Sequence, residues 1–308
     1  MSIDFDKIAE ELHAPVNRKF QRRKVYSPIP NYIWSCDLAD FSKIKTFNDG
    51  YAYVLICVDV FSKFVRAIAL RNKTAKSIIE AFQSFKTRDL PKFLWVDRGS
   101  EFYNKSFESF CNKNNINIYS TYGESKSAIA ERFIRTMKNW LQIYMTSKNT
   151  HRWIEELNNL ILRYNKRKHS TTKISPLDAL KKENFEKVYD KLYKNNIPFG
   201  VDDKKLKVGD YVRISRLKNV FEKGHFNWTE EVFKISEVRD TNPTTYKLED
   251  LMNDPIEGSF YRQELKLIKY NPKDIFRVEK ILKYNKNKTK AFVKWMGYPS
   301  KFDSWVTL

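Results

Sequence analysis

Three acidic residues stand in settings that suit metal-assisted chemistry on phosphodiesters. Asp37 falls inside the alternating run WSCDLADF, Asp97 at the exit of the apolar run in LWVDRGSEF, and Glu131 early in the helical stretch ESKSAIAERFIRTMK. A strand, a strand exit and a helix start are edges that can converge on a sheet, so residues far apart in sequence can share one pocket. Hard carboxylate oxygens suit Mg²⁺ or Mn²⁺, and two such ions can activate an attacking oxygen while stabilising the leaving one. Three carboxylates bring about −3 against about +4 from two ions, which leaves positive charge to hold a phosphate. Without cations the crowded carboxylates repel, and at least one of their pKa values should rise. Asp40 and Asp59 are the neighbouring acids. Asp59 ends the second strand, where it could line the pocket.

The elements around these residues alternate between strand and helix. YIWSCDLADF reads as a strand whose partner follows the turn signal Asn48-Asp49-Gly50. That partner, YAYVLICVDVF, is apolar on both faces, as a central strand covered by helices should be, and FVRAIAL supplies a third strand. Ile78, Ile79, Phe82 and Phe85 recur at helical spacing after Thr74, a suitable N-cap. FLWV, a short helix bearing Phe107, Phe110 and Cys111, and INIYS lead to a long helix from about Ser125. The expected order is βββαβαβα. In the long helix Ile129, Phe133, Met137, Trp140 and Tyr144 form the apolar stripe. Glu131, Arg135 and Lys138 share another face, where a phosphate backbone could lie. An ordinary solvated basic face has the same pattern. A second helix carries Trp153, Leu157, Leu160, Ile161 and Tyr164 at the same spacing.

With 308 residues, two or three domains are expected. Hydrophobic residues make up 42% and aromatics 15%, with few Gly and Pro, so neither a disordered nor a collagen-like chain fits. A net charge of +20 makes nucleic acid the leading partner, although an AT-rich genome also inflates Lys and Asn. Arg18, Lys19, Arg22, Arg23 and Lys24 form a basic arm that reads either as a phosphate contact or as a solvated linker. The longest apolar run, Tyr51 to Val58, is too short to span a bilayer, and the acidic N-terminus lacks the pattern of a secretory signal. An intracellular, reducing location is expected. Cys36, Cys57 and Cys111 have no metal-site spacing and read as buried thiols. The four His residues are too dispersed to suggest a zinc pair.

These motifs resemble the retroviral integrase superfamily: a strand Asp in W-x-x-D, an Asp before Gly-Ser-Glu-Phe, and a helical Glu 34 positions later. The resemblance covers residues 31–180, including VDVFSKFVRAIAL and YNKRKHSTTKISPLDAL. Arg98 stands where retroviral members usually have Asn. In this, and in LHAPVNRKFQRRKV, the chain looks more like integrases of Polinton (Maverick) transposons and virophages. The resemblance implies an α/β, RNase H-like mixed-sheet core with Asp37, Asp97 and Glu131 as catalytic and metal-binding residues and two Mg²⁺ or Mn²⁺ ions. It also implies contact of Arg135 and Lys138 with the element's DNA end, a mobile segment around Ser125 to Ser127, and no metal role for Asp59. His169 could be a general base, but the reaction does not require one and the position looks structural in the family.

Residues 1–30 read as the basic N-terminal arm, and the charged stretch 181–204, with its Asn-Asn-Ile-Pro interruption, as a linker; the resemblance implies that 31–180 is the catalytic core, 205–270 a small β-barrel DNA-binding domain and 275–308 a chromodomain-like segment. Matching FRVEKIL, FVKWMGYP and DSW places Phe276, Trp295 and Tyr298 at the cage positions of a methyl-lysine reader, with a methylated histone tail as partner. The same aromatics could simply fill a small core. The implied activity is 3′-end processing followed by strand transfer of a mobile element or virus-like DNA into host DNA, by a homo-oligomer, in a host nucleus or a virus-like particle. A catalytically silent DNA or chromatin adaptor and an RNase H-type nuclease are the competing functions for this fold.

Overall fold

A computed structural model describes residues 5–18, 20, 22–85, 89–121, 128–194, 205–216, 226–271 and 276–308. The chain forms two compact units, residues 24–197 and residues 1–23 together with 198–308. The first helix, α1 (Phe5–His13), belongs to the second of these.

Residues 24–197 hold a five-stranded mixed sheet in the order β3-β2-β1-β4-β5. Its strands are β1 (Ile33–Asp40), β2 (Tyr53–Asp59), β3 (Val65–Leu70), β4 (Phe93–Trp95) and β5 (Asn117–Tyr119). β1 pairs antiparallel with β2 and parallel with β4, which makes it the hinge between the hairpin half and the parallel half. The β1–β2 connection is longer than a tight hairpin, because a 3₁₀ turn at Ser42–Phe47 precedes Asn48-Asp49-Gly50.

The helices cover both faces. Helices α2 (Ala75–Gln83) and α3 (Lys105–Lys113) pack Ile78, Phe82, Phe107 and Cys111 against Trp34, Cys36, Leu55 and Cys57. Thr74 and Asn104 cap them, each side chain accepting from a backbone N–H of the first turn. The opposite face meets α4 (Ala128–Ser147) and α5 (Ile154–Lys166), which bring Phe133, Met137, Leu141, Trp153, Leu157 and Leu160 onto Val54, Ile56 and Val58. Because strand side chains alternate, Trp34 and Cys36 face α2 and α3 while Ser35, Asp37 and Ala39 face α4. Asn165 locks α5 to β3, donating to the Val65 carbonyl at 2.8 Å and accepting from its N–H at 2.9 Å.

Within the stretch read as a connection, residues 182–194 are helical. Phe185, Val188, Tyr189, Leu192 and Tyr193 repeat at helical spacing and pack around the buried Phe61. Residues 195–204 lie outside the described residues.

In the other unit, β6 (Tyr211–Ile214), β7 (Phe233–Arg239), β8 (Thr245–Glu249), β9 (Pro255–Tyr261) and β10 (Leu265–Ile268) form an antiparallel sheet, ordered β10-β6-β7-β8-β9. Its core is Leu206, Val212, Phe233, Ile235, Tyr246, Leu248 and Leu265. α1 belongs with this sheet despite the sequence separation. The Leu12 carbonyl accepts from Asn227 N at 2.8 Å, Trp228 Nε1 donates to the Ala14 carbonyl at 2.9 Å, and Glu11 pairs with Arg213. A three-stranded sheet of β11 (Val278–Tyr284), β12 (Lys290–Trp295) and β13 (Ser304–Thr307) completes the unit. The three cysteines are buried and unpaired, and among the described residues no helix is long and apolar enough to cross a membrane.

Candidate active site

Asp37 sits mid-strand on β1, half-buried on the α4 face. Its Oδ1 accepts from the Leu38 N–H at 2.7 Å. Burial pushes its pKa up to about 6; the Leu38 hydrogen bond opposes the rise, while the negative charges of Asp97, Glu131 and Glu101 add to it. Residues 60 and more positions apart in sequence therefore act on one carboxyl group.

Asp97 lies two residues beyond the end of β4, and its Oδ1 is buried without a hydrogen-bond partner among the described residues. An orphaned carboxylate oxygen is costly in a folded protein unless a cation or water meets it. Glu131 lies in the first turn of α4 and is exposed. One residue earlier in the same helix, the Ala130 N–H donates to the Ser35 hydroxyl at 3.3 Å, so the helix start is tied to the strand that carries Asp37.

Glu101 is the acid that motif reading passed over. It stands two residues after Gly99, where a Cβ would collide with the Glu101 carboxylate, so only glycine lets that carboxylate lie back against the loop. The signal was present in the Asp-Arg-Gly-Ser-Glu run, but nothing in spacing alone gives a loop side chain a direction.

Among the described residues, no three His, Cys, Asp or Glu side chains stand close enough, as placed, to share an ion. The donor set nevertheless fits a hard divalent cation: all its candidate ligands are carboxylate oxygens, one is buried and orphaned, and burial, with the neighbouring negative charges adding, raises the pKa of another. Residues 125–127 lie outside the described residues.

Asp59, Asp40 and His169 each have hydrogen-bond partners of their own. Asp59 is fully buried and accepts from Asn31 N, Ser62 N and Ser62 Oγ, each at 2.6 Å. It clasps the β2–β3 turn to the start of β1. Burial raises its pKa, and the Ser62 and Asn31 hydrogen bonds oppose that. Asp40 is exposed and accepts from Ser42 N at 2.7 Å. His169 accepts at Nδ1 from Thr171 N and packs its ring edge-on to Tyr164. Burial, then the charges of Lys63 and Arg132, lower its pKa to about 4. The imidazole is a neutral acceptor inside a turn at ordinary pH.

Arg135 and Lys138 are both exposed on α4, with the Lys138 Nζ 5.6 Å from the centre of the Phe41 ring. In the other unit, Phe276 lies 6.1 Å from Trp295 and 4.7 Å from Tyr298 between ring centres. The three aromatics meet as a packed core. Trp295 and Tyr298 are only 8% and 5% exposed, Trp295 Nε1 donates to Ser304 Oγ, and the Tyr298 hydroxyl accepts from Val232 N at 3.1 Å.

The integrase core domain family matches residues 27–121. An uncharacterized transposon-derived protein of Caenorhabditis elegans is 32% identical over 210 residues, covering 67% of this chain and 69% of that protein. The Pol polyprotein of Feline endogenous virus ECE1 is 28% identical over 163 residues, which are 51% of this chain and 15% of the polyprotein. A chain of the simian T-cell lymphotropic virus intasome, solved by cryo-electron microscopy with PP2A regulatory subunit B56 gamma, shares the fold at a TM-score of 0.57. That match covers 88% of this chain and 93% of the other at 13% identity. Sequence and fold together make this chain a member of the integrase core family, with transposon-derived and retroviral relatives.

Proposed function

We propose that the chain is a DNA integrase that trims the 3′ ends of a mobile element or virus-like DNA and joins them to target DNA. The observation that supports this reading is that the negative charges of Asp97 and Glu131 both act on Asp37, adding to a pKa rise that burial chiefly causes, in a chain of the integrase core family. Asp37, Asp97 and Glu131 would hold one or two Mg²⁺ or Mn²⁺ ions, which supply positive charge that activates the attacking oxygen and stabilises the leaving one. The protein's own part is placement. The Ser35–Ala130 contact fixes Glu131 against β1, Leu38 orients the Asp37 carboxylate, and Gly99 makes room for Glu101 beside them.

Both steps are phosphoryl transfers differing in the nucleophile, water for trimming and the new 3′ hydroxyl for joining, so one site serves both. Arg135 and Lys138 lie on the exposed side of α4, where they would meet the element's DNA phosphates. The net charge of +20 supports a polyanionic partner. The family relationship supports a mobile-element setting, with a DNA-bound homo-oligomer as the working form. The likeness to Polinton and virophage integrases rests on Arg98 and on the segment LHAPVNRKFQRRKV before β1.

Labelled duplexes carrying the element's end, incubated with Mg²⁺ or Mn²⁺, should yield joined strands that Glu131→Gln abolishes. Binding with no joining in either protein would point to a DNA-binding adaptor. Cleavage of the RNA strand of a hybrid, without joining, would point to a nuclease.

A further inference from the structure

Residues 276–308 contain eight Lys or Arg against two Asp or Glu, a strong local excess. The sheet they build has two different faces. Ala291, Val293 and Trp295 of β12 point inward and are buried. Lys290, Phe292 and Lys294 alternate with them and so point outward. Register extends that outer face across the sheet, where Lys283, Phe292 and Trp305 stand directly opposite one another on β11, β12 and β13. Lys280 is opposite Lys294, and Lys290 is opposite Thr307.

The middle row is an aromatic pair with a cation over it. Phe292 and Trp305 are 5.4 Å apart, and the Lys283 Nζ is 5.1 Å from the Phe292 ring centre and 5.7 Å from that of Trp305. Trp305 is 46% exposed, a large π-face left in water. Lys294 is paired with Glu279 and Lys301 with Asp250 and Asp254, and Arg277 with Glu230. Among the described residues, Lys280, Lys283, Lys286, Lys288 and Lys290 form no ion pair. All five lie on β11, in the turn after it or at the start of β12, around the aromatic row.

We propose that this outer face binds single-stranded DNA, with a base against Trp305 and Phe292 and the flanking phosphates on Lys280, Lys283 and Lys290. An unpaired base offers the π-face that an exposed aromatic can use, whereas a duplex hides it in its stack; the lysines supply the phosphate contacts that either would need. A methylated peptide would need aromatics arranged around an open cavity, and the aromatics on the inner face are packed together. Trimming a 3′ end leaves an unpaired complement of the required kind. That use rests on the proposed integrase function, but the binding does not, because the carboxylates belong to the other unit.

The test uses the full chain in EDTA with fluorescein-labelled oligothymidylate and a matched duplex. Trp305→Ala should weaken oligothymidylate binding by about 5- to 100-fold and leave duplex affinity unchanged, with Trp305→Phe restoring most of the loss. Replacing Lys280, Lys283 and Lys290 with Gln should lower the salt dependence of single-strand binding by about two units of log–log slope. Photo-crosslinks from a bromodeoxyuridine oligonucleotide should map to the peptide holding Trp305. The Glu131→Gln chain should bind as the unaltered protein does, whatever it does to joining. Equal loss of duplex and single-strand binding in Trp305→Ala, no loss in either, or crosslinks confined to other segments would overturn the proposal.

Discussion

The backbone N–H of Ala130 reaches the Ser35 hydroxyl at 3.3 Å, and this buried contact sets the register of α4 on β1. Ser35 precedes Asp37 by two residues on the same strand face, and Ala130 precedes Glu131 by one. A single hydrogen bond therefore links the elements that carry two of the three carboxylates.

Ser35→Ala removes the acceptor and leaves a first-turn N–H of α4 buried and unmet. The expected cost is about 1–3 kcal/mol in urea unfolding. Joining of DNA ends should fall further than that stability loss explains, while DNA binding is retained. Unchanged joining in a protein destabilised by this amount would show that the contact holds the fold without placing Glu131.

Asp59→Ala should destabilise the unit of residues 24–197 by roughly 3 kcal/mol or more, since a buried carboxylate and its three hydrogen bonds are lost together. Asp40→Asn should change stability by less than about 0.5 kcal/mol, because Asp40 is exposed. Denaturant titration of both variants separates the structural acid from the surface one.

Trp295→Ala should cost about 3–5 kcal/mol, as the loss of a buried aromatic does, and lower the thermal midpoint of the unit that contains it. Tyr298→Phe should cost about 1 kcal/mol through the unmet Val232 N–H. An unaltered midpoint for Trp295→Ala would contradict the packed-core description.

Glu231 carries a pH signature. Burial, with Asp250 adding and Lys301 opposing, raises its pKa from 4.5 to about 7. The folded state therefore holds this proton more tightly than the unfolded state does. The resulting stability is fully present below pH 4.5 and is lost as pH rises through about 7. Subtracting the midpoint profile of Glu231→Gln from that of the unaltered protein should leave a difference that declines across this window. A flat difference would remove Glu231 as its source.

The sequence made the unit of residues 24–197 readable because each of its signals is local. Alternation announces β1, an apolar run announces β2, and the three-and-four spacing of Phe133, Met137 and Trp140 announces α4. Asp97 was legible as a strand exit followed by Gly99. Direction was not legible: Glu101 bends back because Gly99 has no Cβ, and Asp59 is consumed by Asn31 and Ser62. Nothing local to the residues of α1 names Trp228 and Asn227 as partners, more than 200 positions away. The helical run at residues 182–194 was masked by its charge, although Phe185, Val188 and Leu192 carry the right spacing. For Phe276, Trp295 and Tyr298 the motif gives adjacency, and only packing separates a core from an open cage.

The central claim is that Asp37, Asp97 and Glu131 act as one metal-dependent site, and yield of joined DNA strands tests it most directly. Asp37→Asn, Asp97→Asn and Glu131→Gln should each reduce joining at least 100-fold in Mg²⁺ or Mn²⁺, with duplex binding retained, while Glu101→Gln should leave measurable joining. Joining that survives substitution of any one of the three, in a folded protein that still binds DNA, would contradict the account.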